Sequence, residues 1–501
     1  MSLFATLYAV ATIGLAIYGF NGIVFSIIFL WLRWAAPRRA RTDATYRVSP
    51  ITDWPSVTIQ LPIYNERYVV ERLIETVVAL DYPADRLHIQ VLDDSTDDTV
   101  ALARAKVAQC RARGVNIEYV QRPQRVGFKA GALAYGLSRT ASDFIAIFDA
   151  DFVPPADTLR RAMPHFADAR VGMVQARWGH LNTDYSLLTR AQAMMLDTHF
   201  GIEQEVRART GLFLNFNGSA GVWRRACIDD AGGWEADTIA EDLDLSYRAQ
   251  LRGWQLRYLP DLVVPAEIPT LLGAFKRQQF RWAKGSIQCV RKNSGRLIRS
   301  NESPWRKVQG LMHLTGYIVH PLMLLVVLMS LPLVITGDIS RVHLGAIGLA
   351  GFGAPVMFAI SQFALYPDWK KRIAYLPTIL FLGPGIAISN TWAIFEALIG
   401  RNPTLFLRTP KFQVEGKAKP DRPKDTGTYG LPVDWTTWAE IALMFYSAFT
   451  TIIALERAPG LAPFTATYAF GFGYTAYLGL RQSLGVKAEP AETIRGAVTM
   501  E

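Results

Sequence analysis

Charge is scarce in this sequence. Lys, Arg, Asp and Glu together make up 19% of its 501 residues, against roughly a quarter in soluble domains. Half of the residues are hydrophobic, which excludes a disordered chain, because such chains combine low hydrophobicity with high charge. Cysteine is nearly missing: Cys110, Cys227 and Cys289 form no CxxC pair, so neither a disulfide framework nor a cysteine zinc site is encoded. The GxGxxG and Walker A patterns are absent too, which removes the usual signal for dinucleotide or P-loop binding. The charge that remains is basic in balance, 53 Lys and Arg against 43 Asp and Glu, a formal +10. Its placement decides what it means.

Residues 2–32 carry no charged side chain, and about 20 apolar residues suffice to cross a bilayer as a helix. The stretch is too long for a signal-peptide core and lacks a basic leader. Further uncharged runs lie at 308–337, 344–367, 373–395 and 458–480, with a shorter one at 441–455. Between the first and second runs, roughly 50–300 has ordinary globular composition and is long enough to bury its own core. Arg33, Arg38, Arg39, Arg41 and Arg47 follow the first run, which places that block in the cytosol by the positive-inside bias. Lys370-Lys371-Arg372 and the basic loop 401–434 ask for the same side. That is satisfied if 373–395, interrupted by Gly383-Pro384-Gly385, is a broken, re-entrant or interfacial segment. Five spans result, with the N-terminus outside and the C-terminus inside.

The central block reads as alternating strands and helices. VTIQLPI (57–63), HIQVLDD (88–94), IEYVQ (117–121) and DFIAIFDAD (143–151) are strand-like. Amphipathic stretches separate them, at 66–80 and from Ser95 to about Arg113. Such alternation specifies a mostly parallel α/β sheet, with ligands bound beyond the carboxyl ends of its strands. Asp93-Asp94 and Asp149-Ala150-Asp151 stand at such ends.

Two carboxylates one residue apart can hold Mg2+ or Mn2+ on a diphosphate, and a solvated turn is the plain alternative. Ala240-Glu241-Asp242 opens a helical stretch. Asp242 there is either a general base or a charge that suits the helix dipole. Gln278-Gln279-Phe280-Arg281-Trp282 lies on a basic-aromatic stretch, 275–292, that reads as an interfacial helix. His180 and His199 lack metal-ligand spacing, and Cys227 reads as core. His313 and His320, seven apart, fall on one face of a helix as packing or channel-lining residues. Trp178 and Trp234 suit an acceptor groove and buried packing equally.

The order of these elements resembles the processive branch of glycosyltransferase family 2. It is similar above all to the cellulose-synthase-like A group of β-mannan and glucomannan synthases and their bacterial relatives. The likeness rests on QLPIYNE (60–66), IQVLDDSTDDT (89–99), GFKAGAL (127–133), IFDADF (147–152), VQARW (174–178), FNGSAGVWRR (216–225), AGGW (231–234), EDLDLSYRAQLRGW (241–254) and QQFRW (278–282). It is dense over 57–300; Ala240 departs from it, standing where many synthases carry Thr.

The resemblance implies a GT-A-type, Rossmann-like α/β domain inserted between transmembrane helices. It implies nucleoside contacts for Tyr64, Glu66 and Asp94, and a place near the nucleotide for Lys129. Asp149 and Asp151 would serve diphosphate and metal, Asp151 as the more direct ligand. Asp242 would deprotonate the acceptor, with Glu241 beside it, and Gln278 and Arg281 would bind diphosphate. Trp282, Asn217 and Ser219 would line the acceptor site. FLRTPKF (406–412) resembles a gating loop, so that Thr409 and Lys411 would close over substrate.

The expected segments are a membrane helix at 1–35, the catalytic domain at 50–270 and interface helices at 271–307. Two spans at 308–367, an interfacial helix at 373–400, the gating-like loop at 401–434, two spans at 435–482 and a cytosolic tail at 483–501 complete the chain. The implied protein is multi-pass, of the bacterial inner-membrane kind, with its catalytic domain in the cytosol. Its implied activity is inverting, processive β-hexosyl transfer from a UDP- or GDP-hexose, with Mg2+ or Mn2+, to a growing glycan or lipid. Membrane lipids are its surroundings. Nucleic acid is excluded, because the basic residues gather at membrane edges. A single-sugar lipid transferase resembling ceramide glucosyltransferases is the alternative within catalysis; a transporter or inactive scaffold is the alternative outside it. No motif reads the sugar, and accessory subunits leave no signal.

Overall fold

The computed structural model describes residues 2–35, 51–341, 349–400, 411, 413–414 and 433–483. Thr409, most of the gating-like loop and the tail beyond 483 lie outside the described residues.

Strands β1 (Val57–Ile63), β2 (Leu87–Asp93), β3 (Ile117–Gln121), β4 (Phe144–Ile147), β5 (Val171–His180), β6 (Gly221–Arg224) and β7 (Gln255–Ala266) form one sheet. Its order is β3-β2-β1-β4-β6-β5-β7. β1 through β4 pair in parallel, β6 runs antiparallel to β4 and β5, and β5 and β7 are parallel. Period-two alternation divides the core between the two faces. Val57, Ile59 and Leu61 pack on one side, while Leu92, Ile145 and Ile147 pack on the other. The two buried glutamines at the centre satisfy each other, Gln60 Nε2 donating to Gln90 Oε1 at 3.1 Å. Strand β1 spans the expected residues; β4 is shorter than expected and stops before Asp149. The DAD triplet is thereby left free to leave the sheet as a turn.

Helices α1 (Leu3–Ala35), α2 (Val70–Val78), α3 (Thr99–Ala112), α4 (Phe128–Ser138), α5 (Leu187–Thr198), α6 (Gln204–Arg209) and α7 (Glu241–Leu251) precede the long helix α8 (Leu272–Arg299). Beyond it come α9 (Pro304–Leu314), α10 (Val319–Thr336), α11 (Gly353–Leu365), α12 (Leu376–Ile399), α13 (Trp435–Arg457) and α14 (Ala462–Ser483). Among the described residues four helical segments are long and apolar enough to cross a membrane: Leu3–Trp34, Gly316–Thr336, Trp369–Ile399 and Trp435–Arg457.

This differs from the expected layout in several respects. Helix α12 runs unbroken through Pro384, because neighbouring helices bury that stretch and supply packing in place of the missing hydrogen bond. In the run 344–367 the described apolar helix, Ala350–Leu365, is shorter than a bilayer crossing. Helix α14 is long, but its Tyr, Thr and Gly content keeps it out of the apolar group. A turn over Gly316–Ile318 separates α9 from α10, so His313 and His320 stand on two helices rather than on one face. The His313 ring meets the Tyr247 hydroxyl at 2.9 Å.

Helix α8 joins the two halves of the molecule. Lys276 pairs with Glu440 of α13, and Lys284 Nζ lies 2.9 Å from Glu396 of α12. At its other end Lys292 sits among Glu235, Asp237 and Asp244. Gly285 brings α8 against the start of α7, for a Cβ there would meet the Ala240 Cβ at 2.6 Å. A larger side chain at Ala240 would need room that this crossing does not leave.

Candidate active site

The carboxyl ends of β1, β2 and β4 lie side by side at one edge of the sheet. Asp93 faces inward, where Tyr119 Oη and the Ser95 N–H each donate to it at 2.8 Å. Asp94 takes the Arg122 guanidinium, whose Nε lies 3.0 Å from Asp94 Oδ1. Tyr64 follows β1, and the Arg125 guanidinium stacks 3.3 Å from its ring centroid, a cation–π contact. Neither arginine was singled out in the sequence. The available signal was a basic pair in QRPQRVGFK, between a strand end and a helix start.

Asp149 emerges from β4 into a knot of opposite charges. Lys129, at the start of α4, donates to Asp149 Oδ1 at 2.6 Å and to the Gly218 carbonyl at 2.8 Å. Ser219 is fully buried, and its hydroxyl accepts the Asp149 N–H at 2.9 Å; in this structure it positions Asp149. Asp151 pairs with Lys411, the described residue of the gating-like loop that reaches the site. Burial works against both ammonium groups, yet the surrounding carboxylates raise them above the ordinary lysine value. For Lys129 these are Asp149, Glu241 and Asp242; for Lys411 they are Asp151, Glu66 and Asp149.

Glu241 and Asp242 open α7. Asp242 Oδ1 accepts the Leu243 N–H at 2.8 Å, and Asp242 Oδ2 faces Gly218, where a Cβ would come within 3.0 Å of it. Gly218 has φ +82°, which suits only a residue without a side chain. Desolvation first, and then the charge of Glu241, push the Asp242 carboxyl up to about 7. Glu241 is raised by the same burial. Arg281 of α8 is held below its ordinary value by burial, with Asp149, Glu241 and Glu66 pulling the other way. Gln278 and Trp282 stand half-buried on α8.

Asn217 belongs to the turn that contains Gly218, and His199, which the sequence marks only as a histidine without metal-ligand spacing, holds it: His199 Nε2 lies 2.9 Å from Asn217 Oδ1. His180 instead pairs with buried Asp197 at 3.1 Å. Trp178 donates Nε1 to the Ser219 carbonyl at 3.2 Å, and Trp234 packs edge-on against Trp223 in the core.

Two acidic groups invite a divalent cation. At Asp149 and Asp151 the donors are hard oxygens that already take cationic partners, as Mg2+ or Mn2+ would require. At Glu235, Asp237 and Asp244 the oxygens lie within 4.8 Å of one another, but the Lys292 ammonium already stands among them, 2.7 Å from Asp237 Oδ1 and 2.9 Å from Asp244 Oδ2. Both sets already carry lysine, Lys129 and Lys411 at the first and Lys292 at the second; the first stands just beyond the carboxyl end of β4, where a bound diphosphate would share the ion.

The family model described as glycosyltransferase like family 2 matches residues 55–285. The chain is 44% identical over 303 residues to glucomannan 4-beta-mannosyltransferase 2 of Arabidopsis thaliana, covering 58% of this chain and 55% of that protein. It is 42% identical over 285 residues to glucomannan 4-beta-mannosyltransferase 1 of Oryza sativa subsp. japonica, covering 54% and 55%. The chain thus spans about half the length of the curated relatives it matches. Among solved structures it is similar to a mannosyltransferase from Pyrobaculum calidifontis in complex with GDP-Man and Mn2+. That likeness has a TM-score of 0.53 and 21% identity, and covers 77% of this chain and 99% of the other. At that identity the likeness carries the fold, and the fold agrees with the sheet described above. Residues 55–285 are therefore a glycosyltransferase family 2 domain of the GT-A-like α/β type, joined to helices apolar and long enough to cross a membrane.

Proposed function

We propose that this protein is a membrane-embedded, inverting β-hexosyltransferase that extends a β-linked polysaccharide of the mannan or glucomannan kind. The observation that carries this is Asp242, a half-buried carboxylate raised to about 7 beside the Lys129–Asp149 pair. A base of that strength matches proton removal from a sugar hydroxyl near neutral pH. The names of the curated relatives support the sugar class, and the neighbour's bound GDP-Man supports a nucleotide-hexose donor.

The chemistry follows from the arrangement. Asp242 takes the proton of the acceptor hydroxyl. The freed oxygen attacks the anomeric carbon from the face opposite the diphosphate, and an α-linked donor becomes a β-linked product. The bond to the diphosphate breaks and its electron pair leaves with the nucleotide. Arg281 and Lys411 stabilise that charge, Gln278 binds the same diphosphate, and Tyr64, Glu66 and Asp94 hold the nucleoside. Mg2+ or Mn2+ at Asp149 and Asp151 would supply further neutralisation of the leaving group. Trp282, Asn217 and Glu241 face the acceptor. Closure of Lys411 and Thr409 over the donor excludes water, so transfer prevails over hydrolysis.

Processive elongation with passage of the product across the membrane is part of this reading. Its support is a set of buried polar atoms without hydrogen-bond partners on three packed helices: both amide atoms of Asn390, His320 Nδ1 and Gln279 Nε2. Asn390 and His320 stand on two of the candidate spans, and polar side chains kept inside such helices mark substrate paths. The positive-inside bias supports a cytosolic catalytic domain.

The test is turnover by purified protein in lipid nanodiscs. GDP-Man, GDP-Glc, UDP-Glc and UDP-GlcNAc are offered with Mn2+ or Mg2+, and products are sized and their linkages determined. A β-linked polymer is expected. A product carrying one sugar on lipid would replace the polymerase with the single-sugar lipid transferase.

A further inference from the structure

Helices α5 and α6 are one helix interrupted by a π turn, His199–Glu203. Such turns are rare and gather at functional sites, because they give up regular hydrogen bonding to re-aim side chains. Here two consecutive residues of the π turn hold the two sides of the turn 215–219. His199 Nε2 lies 2.9 Å from Asn217 Oδ1. Phe200 packs on Trp178 at 5.1 Å between ring centroids, and Trp178 Nε1 holds the Ser219 carbonyl at 3.2 Å.

The imidazole is itself braced. Its Nδ1 faces Glu203 Oε2 at 3.0 Å, and Glu203 Oε1 takes the buried Arg207 guanidinium at 3.2 Å. The Asn217 amide is oriented by Asn215 Nδ2, which donates to Asn217 Oδ1 at 2.9 Å; the oxygen is also the atom that faces His199 Nε2. Gln204 Nε2 stands 3.4 Å from the same ring nitrogen, but is closer to Asn215 Oδ1, at 2.9 Å. The front of the turn is the reactive side, where the Gly218 carbonyl takes Lys129 and the Gly218 backbone faces Asp242.

We propose that His199 is a positioning residue for the acceptor side of the site, holding Asn217 and, through Gly218, the space in front of Asp242. This rests on the transferase reading above. His199 contacts Asn217 rather than Lys129, Asp149 or Lys411, so its loss is expected to act first on acceptor attack. The ring is 26% accessible, so it is not sealed in the core.

The test compares His199→Ala, His199→Gln and wild type as full-length protein in nanodiscs, with GDP-Man, Mn2+ and a β-1,4-manno-oligosaccharide primer. His199→Ala is expected to lower kcat by about tenfold and raise the primer KM, since small displacements of a positioned group cost this much. The donor KM and GDP affinity by titration should stay within about twofold, added imidazole should recover activity, and His199→Gln, which keeps a donor near Asn217, should retain most of it. Wild-type kcat and primer KM in His199→Ala would overturn the role. So would equal losses in both variants without imidazole recovery, together with lowered melting temperatures, which mark a structural residue. Wild-type protein silent with every donor would overturn the transferase reading itself.

Discussion

Lys129 and Asp242 meet across Gly218. The lysine donates to the Gly218 carbonyl at 2.8 Å, and Asp242 Oδ2 faces the same residue where a Cβ would lie 3.0 Å away. The ammonium works against burial and Glu241, the two main causes that raise Asp242. One glycine thus lets a lysine and a carboxylate, each at the start of a helix, share a few ångströms.

Lys129→Met should move the acid limb of the kcat profile to higher pH, because the cation that favours ionised Asp242 is gone. It should also lower kcat by tenfold or more, about the loss expected for removing one charge-stabilising donor. A pH series from 5.5 to about 9 at saturating donor reads both; a limb that stays in place would mean that Lys129 does not act on Asp242.

Asp242 itself sets the pH dependence. With its folded value near 7, above that of the unfolded chain, the base is ionised and active only as pH rises through about 7. The sign for stability is opposite. The protonated form is favoured by the fold, so its contribution is present below the unfolded value and lost as pH rises through the folded one. Asp242→Asn should lose at least about a hundredfold in kcat yet melt higher than wild type at pH 8, the difference narrowing as pH falls from about 7 toward the unfolded carboxylate value. Full activity in the variant would remove Asp242 as base.

Arg122 and Asp94 form a pair in which both side chains are less than a tenth exposed. Arg122→Ala leaves Asp94 buried and unmatched, which costs up to about 3–5 kcal/mol in such pairs. A clear drop in melting temperature and a higher donor KM should accompany a modest change in kcat. An unchanged donor KM would detach this pair from nucleoside binding.

Chelation should abolish turnover, and Mn2+ or Mg2+ should restore it. Asp151→Ala should raise the Mn2+ concentration needed for half-maximal activity by tenfold or more, in line with the loss of one direct ligand. Asp237→Asn should leave that concentration unchanged, because Lys292 already balances its cluster. A shift in the Asp237 variant would move the metal to the other acidic group.

Much of this was legible along the chain. Strands that recur with β-branched residues and end in acidic pairs specify a parallel sheet and the edge where ligands meet it, because side-chain alternation and strand direction are local properties. The order of Asp94, Asp149, Asp242 and Arg281 is likewise a one-dimensional signal. Composition marked the apolar helices, yet it read Gly383-Pro384-Gly385 as a break where α12 is continuous, since burial by neighbouring helices is invisible in a hydropathy run.

The sequence by itself determined the α/β domain, the acidic residues proposed for its site and the apolar segments around it, because each depends on periodicity, residue type or spacing. Only the tertiary structure decided that Arg122 and Arg125 cover Asp94 and Tyr64, that Lys292 fills an acidic cluster resembling a metal site, and that His199 holds Asn217. These partners stand far apart in the chain, Glu235 and Lys292 by 57 residues. Electrostatic matching across such gaps exists only once the chain has closed on itself.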